Sequence, residues 1–228
     1  MKVNEFTGGA RGDTKATHHI YRRAGFQRKS PQNNFRRLIG TLIPQNTFLV
    51  ESISYVPEHL SKVPLETVVA VLNSKLGDWY FRLGSTNAMV GEYQFNNLPC
   101  PAFADKATGA DGKMFAAVQA VLDAWAAGAG RKADPADPEE MIREVCRILQ
   151  PAMAVPPYGQ AVRDTIVDLV NRITAIEAAR GEIARAARSA LAPAAQPYQD
   201  LIDRLLYTLA GLSEAEWSGL EERLPKML

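Results

Sequence analysis

At 228 residues with a formal net charge of +1, the chain is longer than the roughly 100–150 residues of one typical domain, and neither sign of charge dominates it as a whole. Its 46% hydrophobic and 22% charged residues exclude general disorder, and no run approaches the ~20 apolar residues of a membrane span. Met1 to Ala10 lacks the apolar centre of a secretion signal, and Cys100 and Cys146 stand at neither disulfide-framework nor zinc-ligand spacing, so a cytoplasmic protein is expected.

Residues 1–17 are rich in Gly and Thr without apolar periodicity and read as a flexible lead-in or the cut edge of a longer protein. The charge is then unevenly spread: residues 1–100 hold twelve Lys/Arg against seven Asp/Glu, and between Arg11 and Arg37 eight cations face Asp13 alone. A local field of that sign favours a polyanion. His18 and His19, adjacent and without a neighbouring acid, read as exposed or phosphate-contacting side chains. Between Phe35 and Val56, short apolar runs flank Pro44-Gln45-Asn46, a turn signal, and suggest two or three strands.

After Pro64 the apolar residues Leu65, Val68, Val69, Leu72, Leu76, Trp79, Tyr80 and Leu83 recur at helical spacing and predict one continuous helix. Residues 84–103 read as a loop with a short strand around Tyr93 to Phe95. Beyond Phe103 the sequence turns Ala-rich and helical. Phe115, Val118, Leu122 and Trp125 mark one helix. Asp137-Pro138-Glu139-Glu140 carries the cap, first-turn proline and early acids that open another, running to about Gln150. Val162, Ile166, Leu169, Ile173, Ile176, Ile183 and Ala187 predict a longer helix over 161–191, an arm or antiparallel hairpin seam. Two helices close the chain, the second opened by a capping box of Ser213 and Glu216 after Gly211. The expected fold is therefore α+β: a small sheet with a packed helix over 18–104, then a mostly helical region over 105–228 that acts as spacer and docking element.

Signals for chemistry are weak. Val155-Pro156-Pro157-Tyr158 has the aromatic end of an amino-methylating loop, but its first residue offers no acceptor to an amino proton, and no Gly-rich strand–turn–helix precedes it. It reads as an interhelical turn. A metal-dependent nuclease would need an acid two residues before a lysine, with another acid upstream. Asp13–Lys15 and Asp111–Lys113 have that spacing only inside Gly-rich loops and read as solvated charges.

Three segments carry a resemblance. They are residues 18–56 (HHIYRRAGFQRKSPQNNFRRLIGTLIPQNTFLVESISYV), VLNSKLGDWYFRLGS with the later YQFNNLPCPAF, and IDRLLYTLAGLSEAE. In this order they resemble the C-terminal specificity domain of TaqI-type and related type IIG restriction-modification adenine DNA methyltransferases. Leu206 and Ala210 depart from the usual valine and tyrosine of the last segment. The resemblance implies a module that reads double-stranded DNA. It also implies a separate catalytic methyltransferase or nuclease module, in cis or in trans, which would hold S-adenosylmethionine. No cofactor is expected in this chain, nor any membrane partner.

Arg and Lys anchor phosphates, while Arg, Asn and Gln match base edges in the major groove. The candidate DNA-binding residues are accordingly Arg22, Arg23, Arg28, Lys29, Asn33, Asn34, Arg36 and Arg37 in the first cluster, with Asn87, Tyr93 and Asn96 in the second. Asn73, Ser74 and Lys75 could equally brace the sheet. The alternative to a DNA reader is a helical scaffold or subunit-interaction protein.

Overall fold

A computed structural model describes residues 15–31, 34–85, 88–129, 137–180 and 191–224. The fold is α+β. Three antiparallel strands, β1 (Arg23–Gln27), β2 (Gly40–Ile43) and β3 (Ile53–Pro57), are ordered β2-β1-β3. Phe26 lies opposite Gly40 in β2 and Ser54 in β3. The Pro44-Gln45-Asn46 turn follows β2 as expected. Asn46 takes the left-handed conformation at φ 59°, and its N–H donates to the His19 carbonyl.

Eight α-helices follow among the described residues: α1 (Leu65–Asn73), α2 (Lys75–Gly84), α3 (Glu92–Asn96), α4 (Gly109–Ala129), α5 (Pro138–Leu149), α6 (Gln160–Ala179), α7 (Gln196–Leu209) and α8 (Glu214–Arg223). Helix α1 lies over β1 and β2 and turns its other side to α6. One core therefore runs from Ala24 in the sheet through Leu65 and Val69 to Val162, Ile166 and Leu169 of α6, and on to Leu201, Leu205 and Leu220. A smaller cluster of Phe26, Leu38, Leu72, Phe81 and Val90 fills the space between β1, α1 and α2.

Sequence and structure differ at several places. The single helix expected over 65–83 breaks at Ser74, whose extended backbone (φ −79°, ψ 150°) ends α1 and whose hydroxyl accepts from Gly77 N to cap α2. The break resets the helical phase, so Phe81 turns inward while Tyr80 and Leu83 come to the surface at 42% and 60% exposure. The expected strand near Tyr93 is instead the one-turn helix α3, fixed by Gln94 Oε1 accepting from Gly91 N and by Phe95 stacking on Phe26 with ring centroids 4.6 Å apart. The stretch expected as an arm or antiparallel hairpin seam is, through Ala179, the central helix α6, packed as a seam and not as a free arm: Val162, Ile166 and Leu169 are fully buried between α1, α4 and α7. Residues 181–190, the rest of that stretch, lie outside the described residues.

Two further differences concern histidines and an aspartate. His18 and His19, expected at the surface, are both buried in a one-turn 3-10 helix (His18–Ile20). His18 meets Tyr55 and His59 edge-on, and His19 stacks on Phe48. Asp111, expected as a solvated charge, is buried as a double cap. Its carboxylate accepts from Thr108 N at 2.7 Å and Thr108 Oγ1 at 2.6 Å, and from Ala161 N at 3.0 Å, tying the starts of α4 and α6 together.

The helix starts expected at Asp137 and Ser213 are present. Asp137 accepts from Glu139 N, and Glu216 accepts from both Ser213 N and Ser213 Oγ. Gly211, at φ 72°, provides the left-handed residue between α7 and α8. Val155–Tyr158 is an interhelical turn before α6. Its Tyr158 exchanges backbone bonds with Ala102 and Ala104, and its hydroxyl donates to the Leu209 carbonyl.

Candidate nucleic-acid interface

The basic cluster of residues 22–37 is divided by the fold into three environments. At the start of β1, Arg22 pairs with Glu58 at 3.2 Å and with Glu66, so its charge is compensated. Its guanidinium is held above its ordinary range, chiefly by the hydrogen bond to Glu66. Arg23 is buried at 3% exposure. Its guanidinium donates to the Thr47 carbonyl and lies 5.3 Å from the Tyr55 ring centroid. Desolvation lowers its pKa.

Arg36 and Arg37 form the second environment. Arg36 donates to the Asn73 carbonyl at the end of α1. Arg37 is 2% exposed, with one amino group donating to Ser85 O at 3.2 Å and the other to Ser30 O at 3.0 Å. The guanidinium lies over Phe81, 4.8 Å from the ring centroid, and Asp78 accepts from the backbone N–H of both Arg37 and Leu38. Burial and the neighbouring Arg82 push the Arg37 pKa down. These two arginines fasten the loop after β1 onto α1 and α2. Arg37 and Arg23 are thereby corrected from surface contacts to interior braces: a guanidinium sealed against carbonyls has no face left for a phosphate.

Arg28 and Lys29, the third environment, are exposed beyond the end of β1, roughly 20 Å along the chain from Arg22 at ~3.3 Å per residue. Arg28 donates to Glu51 O at 3.2 Å, and neither cation pairs with a carboxylate among the described residues. A two-sided backbone pairing joins this segment to the second cluster: Ser30 N donates to Ala88 O at 2.7 Å, and Val90 N donates to Arg28 O at 2.8 Å. Lys29 thus lies opposite Met89, one turn of chain before α3. Tyr93, at 81% exposure, and the exposed Asn96 project from α3. Asn34 is half-buried, its carbonyl accepting from Arg82 Nη2 at 2.8 Å. Asn33 and Asn87 lie outside the described residues.

The structure therefore leaves Arg28, Lys29, Tyr93 and Asn96 exposed on segments joined by this backbone pairing, whereas Arg22 is paired with acids and Arg23 and Arg37 are buried. Asn73 braces the sheet, one of the two roles left open. Its side chain accepts from Gly40 N at 2.8 Å and donates to Gly40 O at 2.9 Å, like an added strand residue. Lys75 joins α2 to the C-terminal helices: its N–H donates to Asp203 Oδ1 at 2.8 Å and its ammonium pairs with Glu221 at 2.9 Å.

Two clefts accompany this arrangement. A polar one of about 250 Å³ is lined by Lys75, Glu139, Arg204, Tyr207, Trp217 and Glu221. Its cations are already committed, Arg204 to Glu139 and the Trp217 ring, Lys75 to Glu221. A less polar one of about 330 Å³ lies between α2 and α3, lined by Tyr80, Phe81, Leu83, Gly84, Tyr93, Gln94 and Asn97. The sequence pattern hid both. The signal for the second was the surplus of large apolar residues beyond one helix stripe.

Fold and surface together define an α+β protein with a small antiparallel sheet braced by helices and a basic, amide-bearing edge. Comparison with known families, with curated proteins and with solved structures gave no match for this chain. Among the described residues no helix is long and apolar enough to cross a membrane.

Proposed function

We propose that this chain is the sequence-specific DNA-recognition part of a type II or IIG restriction-modification methyltransferase–endonuclease, doing no chemistry itself. Its partners in this reading are double-stranded DNA and a catalytic module in cis or in trans, with S-adenosylmethionine held by that module. The observation that carries the reading is the backbone pairing of residues 28–30 with 88–90, which joins two exposed cations that have no carboxylate partner among the described residues to the segment leading into the exposed Tyr93 and Asn96. Cations anchor phosphates and amides read base edges, so one edge supplies both kinds of contact. The resemblance of residues 18–56 to the family's recognition region supports the same face.

Fluorescence anisotropy with a mixed-sequence duplex at low salt tests it. Binding is expected with Kd of roughly 10⁻⁴ to 10⁻⁶ M, weakening as salt rises. The double variant Arg28→Ala/Lys29→Ala, changing two exposed side chains, is expected to reduce the log–log salt slope by about 2, one phosphate contact each at ~0.9. No binding at low salt, or an unchanged slope, overturns the assignment. A chain that ignores DNA and forms a tight oligomer by light scattering would instead be a helical scaffold.

A further inference from the structure

The cleft between α2 and α3 adjoins the groove-reading surface, sharing Tyr93 with it, and has a chemistry of its own. Three of its lining side chains, Tyr80, Leu83 and Tyr93, are exposed at 42%, 60% and 81%. Phe35, at 76%, stands beside the end of α2 because Arg82 Nη2 bonds the Asn34 and Phe35 carbonyls. Large apolar side chains grouped at a surface mark a binding site more often than isolated ones do. The polar groups in the cleft are half-committed. Gln94 Oε1 accepts from Gly91 N at 2.9 Å, and among the described residues its amide N–H₂ has no partner. Asn97 Nδ2 donates to Tyr93 O at 2.7 Å, and among the described residues its side-chain oxygen has none.

We infer that this cleft takes a single unpaired nucleobase, stacked on Tyr80 and Tyr93 with its edge toward the Gln94 donor and the Asn97 acceptor. Three features favour a base over an apolar protein segment. A base has flat π-faces for the tyrosine rings and adjacent donors and acceptors for the two amides. A volume of about 330 Å³ sits at the small end of the range for single small-ligand sites, ~300–1,000 Å³. Lastly, the segment leading into α3 is paired with the one bearing Arg28 and Lys29, cations that complement the phosphates on either side of such a base. The inference rests on the DNA-binding reading above and adds a second mode of contact to it.

The test compares a fully paired duplex with the same duplex carrying one bulged 2-aminopurine, using anisotropy for affinity and 2-aminopurine fluorescence for stacking. The bulged duplex is expected to bind about 10-fold tighter, with its fluorescence quenched on binding. Tyr80→Ala, a change at a half-exposed position outside the groove-reading edge, is expected to abolish both the preference and the quench. Its affinity for the paired duplex should stay within twofold of the parent's. Equal affinity for the two duplexes, or a preference that survives Tyr80→Ala and Tyr93→Ala alike, overturns the cleft while leaving duplex recognition standing. Binding of the bulged duplex or a single strand without any binding of the paired one keeps the cleft and overturns duplex recognition. Absence of all nucleic-acid binding, with self-association that Tyr80→Ala abolishes, overturns both and makes the cleft a protein contact.

Discussion

Asp111 and Asp203 are both buried, and their pKa values move in opposite directions. The carboxylate of Asp111 is wrapped by the Thr108 hydroxyl and by backbone N–H groups of Thr108 and Ala161, and these bonds hold its pKa below the usual carboxylate value despite burial. Asp203 is 1% exposed and receives only Lys75 N on Oδ1, while Oδ2 has no hydrogen-bond partner among the described residues. Desolvation therefore pushes it up to about 7, against the opposing influence of Arg36 and Lys75. The linkage signs follow. Asp111 contributes stability that is present at neutral pH and lost as pH falls through its lowered pKa. Asp203 binds its proton more tightly when folded, so it costs stability progressively as pH rises from about 4 to about 7, and the cost is constant above that. Asp203→Asn keeps the oxygen that accepts from Lys75 and removes the charge. Thermal melts from pH 5 to pH 8 are expected to show the parent losing stability with rising pH, by up to a few kcal/mol, while the variant stays flat across that window. Parallel curves would mean that Asp203 ionises without penalty. Neither aspartate could be read this way from sequence. Asp111 looked like a loop charge because its partner Ala161 is 50 residues away, and Asp203 lay inside a motif noted for its apolar residues.

Among the elements, those legible in the sequence are the ones set by local chemistry. Asp137-Pro138 and the Ser213/Glu216 box specify helix starts through bonds reaching only a few residues, and Gly211 ends α7 because a left-handed φ costs glycine least. The elements that differed are set by contacts distant in sequence, as when Phe26 draws Phe95 and its one-turn helix onto β1. The elbow between α1 and α2 shows both kinds of cause. Ser74 is a good cap, yet the apolar spacing on either side of it continues a helix. The bend closes only because Gly77 brings its backbone against the last turn of α1: a Cβ there would stand 2.2 Å from the Val71 carbonyl oxygen. That oxygen is backbone and cannot swing aside. Gly77→Ala is therefore expected to destabilise the protein by about 1–3 kcal/mol, although alanine is the better helix former. Urea denaturation checks it. A stabilised variant would show that the elbow opens freely and that Tyr80 and Leu83 owe their exposure to something other than this bend.

Across the whole molecule, the contrast between a basic recognition region over 18–104 and a helical region over 105–228 is real in composition but does not divide the interior. Helix α1 presents Leu65 and Val69 to the same core as Val162, Ile166 and Leu169 of α6, and α2 is tied to α7 and α8 through Lys75, Asp203 and Glu221. Amphipathic periodicity showed that each helix had a face to bury; it could not show which partner would cover it, since every apolar stripe is complementary to many others. The physical consequence is testable on fragments. Residues 15–104 alone would expose the α6-facing side of α1 and leave Lys75 and Arg36 without the acids of α7 and α8, a loss of several fully buried side chains at ~1.5–3 kcal/mol each. That sum is comparable to the roughly 5–15 kcal/mol that holds a typical domain folded. The fragment is expected to show no cooperative melt by circular dichroism, whereas the full chain should unfold in one transition that coincides by circular dichroism and tryptophan fluorescence. Two separated transitions in the full chain, or a fragment that melts cooperatively, would mean that the sheet with α1 and α2 stands on its own and that the helices beyond it are a docking partner.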